Sequence, residues 1–478
     1  SLTVSQSRYI NVFPRLSMIE VLARMEMPDS TFVDERIGRE MATREGIAFC
    51  IIPTISNIGN KYAVGAKIIE TQSGDLLRSE ILFPQTRDEI LPVLDQISKK
   101  IRLELGESRF SIFNQDKPLS KVTTSSLEAL KAYSIGIDHH IRLDFERARE
   151  SYEAALRIDT GFVSAKASLG SILFQKFDTD KGQKLLDEAV RSLDKLTERE
   201  KLKIHAAYAA AVIKDLNKAI EYSRTIIDLY PDDIAAHNNL GWFLQTIGEY
   251  EQASKEYKEV IRIDSDFALT YGNLIWTYFD LGKLDSVIIW SEKMITRFSG
   301  NMWGYAYLGT AWCGLDSLRK AISYFEKAEE IDPNNLYSLY RHAHTCRLLG
   351  DYSTAIILLD HVLKVNSENN QAYYLIGVNY LKMGKTEDAE NYFKTYQKAI
   401  TRILQNEYPE NYSTCIKLAA VSARLGEMAN SQEYLLKAMN LDSTRHSEFA
   451  GIFCLQGNIP KAIDEFQKAF KKIGRAHV

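Results

Sequence analysis

One spacing constrains this chain more than any other. Ala219, Ala253, Val287, Ala321, Ala355 and Ala389 each stand 34 positions after the last. Twelve positions before each of them come Ala207, Gly241, Ile275, Gly309, Ala343 and Gly377, and four positions after come Ser223, Tyr257, Ser291, Phe325, Leu359 and Phe393. Turn residues Gly248, Gly282, Gly350 and Gly384 fall between the two small positions, and Pro231, Ser265, Ser299, Pro333 and Ser367 end units. Apolar residues follow the 3.6-residue period on both sides of each turn. The unit is therefore helix, turn, helix, stop. Small residues recur because two antiparallel helices approach closely only where neither carries bulk. A fixed period of this length means a stacked array in which each unit buries its apolar face against the next.

The pattern resembles the tetratricopeptide repeat, most fully at Tyr305, Leu308, Gly309, Trp312, Ala321, Phe325, Ala328 and Pro333. An upstream unit carries Gly136, Ala148, Tyr152 and Ala155. The next has Leu169 and Gly170, then an enlarged connection over 178–200. After Tyr396 an insertion around 400–411 delays a unit with Gly426, Ser431 and Ala438, and a last one carries Gly457, Ala462, Phe466 and Ala469. The resemblance implies a mainly α chain: a right-handed α-solenoid of about ten helix pairs over residues 125–472, preceded by a small α/β domain.

Residues 1–108 have another grammar. Tyr9–Phe13 reads as a short buried strand, Leu16–Met25 and Val33–Glu45 as helices. Ile47–Ile58, Tyr62–Thr71 and Leu76–Phe83 read as strands, the last two joined at Ser73-Gly74-Asp75, and Arg87–Leu105 as a closing helix. The segments 6–14, 42–52 and 71–75 resemble the TolB-like domain that precedes tetratricopeptide arrays in bacterial signalling proteins. That family begins with a further strand and most of a helix, so a truncated start is expected. Residues 109–124 form a linker, after which Ser125 and Glu128 match a capping box opening the first repeat helix. With the domain before it, this bridge resembles the carboxy-terminal sensor half of bacterial transmembrane serine/threonine kinases and winged-helix regulators. Residues 473–478 resemble the translation of a sequencing-adapter oligonucleotide.

Composition narrows the function. The 478 residues carry 59 Lys and Arg against 63 Asp and Glu, a net charge of −4, which gives no electrostatic case for nucleic acid. No run of 18 apolar residues is present. Cys50, Cys313, Cys346, Cys415 and Cys454 lie far apart, an odd set with no zinc spacing. Kinase, metalloprotease and serine-hydrolase motifs are absent. Gly384-Lys385-Thr386 has Asn379 where a phosphate loop needs its first glycine. His342 and Cys346 share a helix face but take inward positions, and packing accounts for them better than a metal. His139 and His140 point to different faces. No catalytic residue, cofactor or metal is expected.

What remains is the inner face of each first helix. It reads Tyr208; Trp242 and Gln245; Trp276 and Phe279; Trp303 and Thr310; Tyr337, Tyr340, His344 and Arg347; then Gln371 and Tyr374. Aromatic rings with polar tips suit a peptide-binding groove, and packing between neighbouring units is the alternative use for them. In chaperone-binding relatives of this repeat, Lys and Asn at such positions clamp a terminal carboxylate. Here the places hold Trp242, Trp276, Gly272 and Ala306, against that ligand. The expectation is a non-catalytic module of a larger bacterial signalling protein that binds a peptide or protein; the rival is a free-standing scaffold. The compartment follows the missing part: outside the cytoplasm if a membrane helix lies upstream, cytoplasmic otherwise.

Overall fold

The computed structural model describes residues 4, 7, 9, 10, 12, 13 and 15–476, except 29–30, 59–60, 116–117, 119–123, 142–143 and 407–410. It divides into two compact units, Ser1–Lys283 and Leu284–Val478. Twenty-four helices and one three-stranded sheet occur among the described residues, and none of those helices is long and apolar enough to cross a membrane.

The first unit opens with α1 (Arg15–Arg24) and α2 (Glu35–Arg44). Asp34 caps α2 by accepting the Ile37 amide at 2.8 Å. An antiparallel meander follows: β1 (Phe49–Ile58), β2 (Lys61–Glu70) and β3 (Leu76–Leu82), in the order β1-β2-β3. Period-two alternation places Val64, Ala66 and Ile68 on one face of β2, under Ile90, Ile97 and Ile101 of α3 (Ile90–Glu104). The β2–β3 turn needs Gly74. Its φ is +81°, and a Cβ there would lie 2.5 Å from the Arg39 guanidinium.

Two sequence expectations change here. Tyr9, Ile10, Val12 and Phe13 are not in a strand; Tyr9 is 71% exposed. The Ser7 hydroxyl accepts the Tyr9 and Ile10 amides at 3.1 and 3.2 Å, taking donors that a ladder would use. Asn11 and Pro14 lie outside the described residues. The expected capping box gives way to a single cap: Ser126 accepts the Ala129 amide at 3.2 Å, and alanine at that position cannot return a bond. The Glu128 carboxylate reaches Arg87 at 2.6 Å instead.

Within the expected linker, α4 (Arg109–Gln115) is anchored by a buried group. Arg102 forks onto Glu107 with two bonds of 2.8 Å, and Ser111 donates to the same carboxylate at 2.8 Å.

The repeats of the first unit are α5 (Leu127–Ile141) with α6 (Phe145–Ile158), α7 (Val163–Ile172) with α8 (Thr179–Val190), α9 (Glu198–Tyr208) with α10 (Leu216–Leu229), α11 (Ile234–Thr246) with α12 (Tyr250–Ile263), and α13 (Ala268–Asp280). The second unit holds α14 (Leu284–Arg297), then α15 (Met302–Gly314) with α16 (Leu318–Ile331), α17 (Leu336–Leu349) with α18 (Tyr352–Val365), α19 (Asn370–Lys382) with α20 (Thr386–Asn406), α21 (Tyr412–Arg424) with α22 (Met428–Leu441), and α23 (His446–Leu455) with α24 (Ile459–Ala476). In chain order these make ten two-helix repeats, the fifth divided between the units. The insertion after Tyr396 lengthens α20 to Asn406. Of the connection expected over 178–200, Thr179–Val190 is the helix α8, capped by Asp178; what remains before α9 is a 3₁₀ turn, Leu193–Lys195, and a capping box of Thr197 and Glu200.

The small positions meet aromatic rings. A Cβ on Gly241 would lie 2.7 Å from the Tyr257 ring, on Gly309 2.7 Å from Phe325, and on Gly377 2.7 Å from Phe393. Those rings are almost wholly buried. Where Ala343 replaces glycine, Leu359 replaces the ring, so volume is conserved across each pair.

In the first unit the α/β segment touches the array at two places far apart in sequence. Leu127 of α5 packs on the sheet core, while α1 reaches the loop between α12 and α13. There the Ser17 hydroxyl donates to Asp264, and Arg24 bridges Asp266 and Glu45. Asp266 is 1% exposed, whereas Asp232, Asn334 and Glu368, at the same repeat position, are exposed. The cover given by α1 marks this loop out.

Candidate functional site

Each first helix presents one face at which the sequence placed a binding groove. In the first unit, Trp242 of α11 and Trp276 of α13 remain 52% and 40% exposed. Their six-membered neighbours are Phe243, with centroids 5.3 Å apart, and Phe279, at 5.6 Å. Gln245 has a structural duty: its amide donates to Asp280 at 2.9 Å, and its carbonyl accepts the Tyr257 hydroxyl at 3.2 Å. Asn238 on α11 likewise accepts from Thr270 and Asn273 of α13, each at 3.3 Å. An amide ladder thus aligns these two first helices and holds their tryptophans at the surface. Tyr208 is tied to Asp187 at 2.5 Å.

In the second unit, Trp303 of α15 is 36% exposed and lies 5.5 Å from the Tyr337 ring of α17 and 5.7 Å from Tyr307. The Tyr337 hydroxyl meets the Thr310 hydroxyl at 3.0 Å. Tyr340 donates to Asn369, next to α19, and the Tyr374 hydroxyl accepts from Arg424 Nε at 3.0 Å. The structure therefore uses Tyr337, Tyr340 and Tyr374 to join successive first helices, with their rings half-buried and their hydroxyls engaged. Gln371 is exposed on α19.

His344 and Arg347 stand half-buried on α17 with Arg341, which the sequence reading passed over because it fell outside the expected spacing. Among the described residues, Arg341 Nε and His344 Nδ1 are buried without a hydrogen-bond partner. Burial, followed by the positive charges of Arg347 and Arg341, holds the His344 imidazole below its ordinary range.

The array also contains buried and half-buried histidine–carboxylate pairs not anticipated from sequence. His237 has Nδ1 2.7 Å from Glu256 and Nε2 2.8 Å from the Pro231 carbonyl, so both nitrogens face acceptors and the ring is built to be a cation. His446 meets Glu465 at 2.7 Å. His342 is buried, stacked on Phe325, and meets Glu329 at 3.2 Å. Burial opposes its charge, but contacts with Cys346 and Glu329 raise its pKa to about 9. Among the described residues no group of three or more His, Cys, Asp or Glu side chains is placed to hold a metal ion. The signal available in sequence for two of these pairs was the histidine–glutamate separation of 19 shared by His237 and His446.

Helix pairs with a 34-residue period and small residues against rings are the architecture of tetratricopeptide repeats. Residues 234–267 match the tetratricopeptide repeat family, and residues 315–396 match the family described as anaphase-promoting complex, cyclosome, subunit 3. A TPR repeat-containing protein of Methanocaldococcus jannaschii is 24% identical over 235 residues, covering 48% of this chain and 35% of that protein. The human antiviral innate immune response effector IFIT1 is 22% identical over 235 residues, covering 43% of this chain and 48% of its own. The match thus spans between a third and a half of those relatives. A tetratricopeptide repeat protein from Parabacteroides merdae is similar in structure with a TM-score of 0.41 and 14% identity, over 55% of this chain and 98% of that one. YrrB, described as a TPR protein with an unusual peptide-binding site, gives 0.31 and 20% identity, over 38% of this chain and 93% of its own.

Proposed function

We propose that the inner face of the first helices binds an extended polypeptide segment, and that the chain acts as the recognition arm of a larger signalling protein. The observation that carries the first part is the exposure of Trp242, Trp276 and Trp303 at between 36% and 52%. Rings of this size are normally buried, and leaving them at the surface loses transfer free energy unless a partner covers them. Amide and hydroxyl bonds fix the helices beneath them, so the rings enter binding with little freedom left to lose. The order of an α/β segment and then a repeat array supports the second part. Reading the intact gene upstream of Ser1 tests it, and a start codon with no output domain upstream would sink it.

For the groove, the full chain is screened against a displayed library of random peptides, and bound peptides are measured again on W242A/W276A and on W303A. A loss of about tenfold or more in at least one variant, with helicity unchanged, is expected. Affinities unchanged in both variants would overturn the groove.

A further inference from the structure

On α17, Arg341, His344 and Arg347 follow one another at i, i+3 and i+6, so they share one side of the helix. Elsewhere in the array, basic side chains have carboxylates beside them. Arg199 and Lys203 converge on Asp233 at 2.6 and 2.9 Å, and His237 and His446 have Glu256 and Glu465 at 2.7 Å each. On α17 neither arginine has a carboxylate partner among the described residues, and nitrogens of Arg341 and His344 are buried with no acceptor. Buried donors without acceptors lose the hydrogen bonds that water gave them. Arg341 and Arg347 are only half-buried and have no carboxylate on them among the described residues, so anions from outside can pair with their guanidinium groups. The same helix carries Tyr337, whose ring meets Trp303 at 5.5 Å, so an apolar surface adjoins the cations.

We infer that the α17 face is a subsite for the side-chain carboxylates of an acidic segment, with Trp303 and Tyr337 receiving an apolar residue beside them. The inference rests on the groove reading and names the partner's chemistry. Six residues of helix separate the outer cations by about 9 Å, longer than a single carboxylate can serve. An extended segment repeats a side chain on one face every ~7 Å, so carboxylates on alternate residues match the row. Guanidinium forks accept carboxylates two oxygens at a time, which sets register as well as affinity.

The test uses the full chain and two fluorescent peptides capped at both ends, one alternating leucine with glutamate, the other leucine with glutamine. Capping removes terminal charge, so any anion read is a side chain. The glutamate peptide is expected to bind at least about tenfold more tightly than the glutamine peptide. R341Q/R347Q should bring the two to the same affinity, as should ~0.5 M salt. R347Q alone replaces the double variant if the latter loses helicity. Equal binding of the two peptides to the wild-type chain, unchanged binding in the arginine variants, or no binding of the glutamate peptide at about 1 mM would each overturn the inference. W303A separates the two readings. Charge-dependent binding that ignores W303A keeps the acidic subsite and removes Trp303 from it, leaving the groove to the W242A/W276A measurement. Binding lost in W303A with no preference for glutamate keeps the groove and removes the subsite.

Discussion

Asp316 occupies the turn position held by glycine in other repeats and adopts φ +58°, where a side chain is strained. Replacing it with glycine removes the strain at an exposed site that the periodicity alone identifies. D316G should raise stability by about 0.5–1 kcal/mol, read as a shift of the urea midpoint at unchanged slope. His342 illustrates a residue whose role the spacing hid. It occupies an inward position, as the sequence reading held, but as a charged partner of Glu329 and not as an apolar filler. Its pKa is raised to about 9, so its stabilisation is complete below the unfolded value near 6.5 and is lost as pH climbs to 9. Stability of the wild-type chain should fall across that interval by on the order of 1–2 kcal/mol, and H342Q should flatten that part of the profile. A wild-type chain equally stable at pH 6.5 and 9.5 would contradict this assignment. Charge state is invisible to a reading that compares side chains only by size.

At the scale of helices, the sequence was informative where a helix boundary had a chemical mark. Glycines in the left-handed region end first helices, Asp351 caps the second helix α18, and Asp233 and Asn335 cap the first helices α11 and α17. The mark misled where two candidates were adjacent, Ser125 and Ser126, since both precede a glutamate. It failed at Tyr9–Phe13, where β-forming side chains were outweighed by a serine hydroxyl that turns the backbone. Pair packing is the strongest element-level claim. In G309A the new methyl group would intrude on the Phe325 ring, costing about 1–2 kcal/mol after the helix-propensity gain. F325L alone should destabilise, while the double variant should recover part of the loss, because Ala343 with Leu359 already uses that combination. Strict additivity in the double-mutant cycle would refute direct contact between the two positions.

Across the whole molecule, the candidate site was legible as a set of ring-bearing positions but not as a surface. Spacing found Trp242, Trp276 and Trp303, whose rings stay exposed. It could not foresee that hydroxyls of Tyr337, Tyr340 and Tyr374 would be engaged by neighbours, because those partners lie 27, 29 and 50 residues away. Nor could it foresee the contact of α1 with Asp264 and Asp266. Arg24→Ala together with Ser17→Ala should speed amide exchange across residues 264–270 and in α1 while leaving that of α3 unchanged; exchange unaltered at 264–270 would show that the cover is not energetically coupled to the loop.

That contact also bears on how the chain reaches its native state. Stacked repeats are built from near-neighbour contacts, so any part of the array can nucleate early and grow outward. The bond from Ser17 to Asp264 closes a loop across 247 positions and cannot form until four repeats already stand between its ends. On a ribosome α1 emerges before the array yet must wait for α12 and the loop after it before it finds its seat. The contact thus joins early-made residues of the first unit to far later ones, and acts as a check that the intervening repeats have stacked in register.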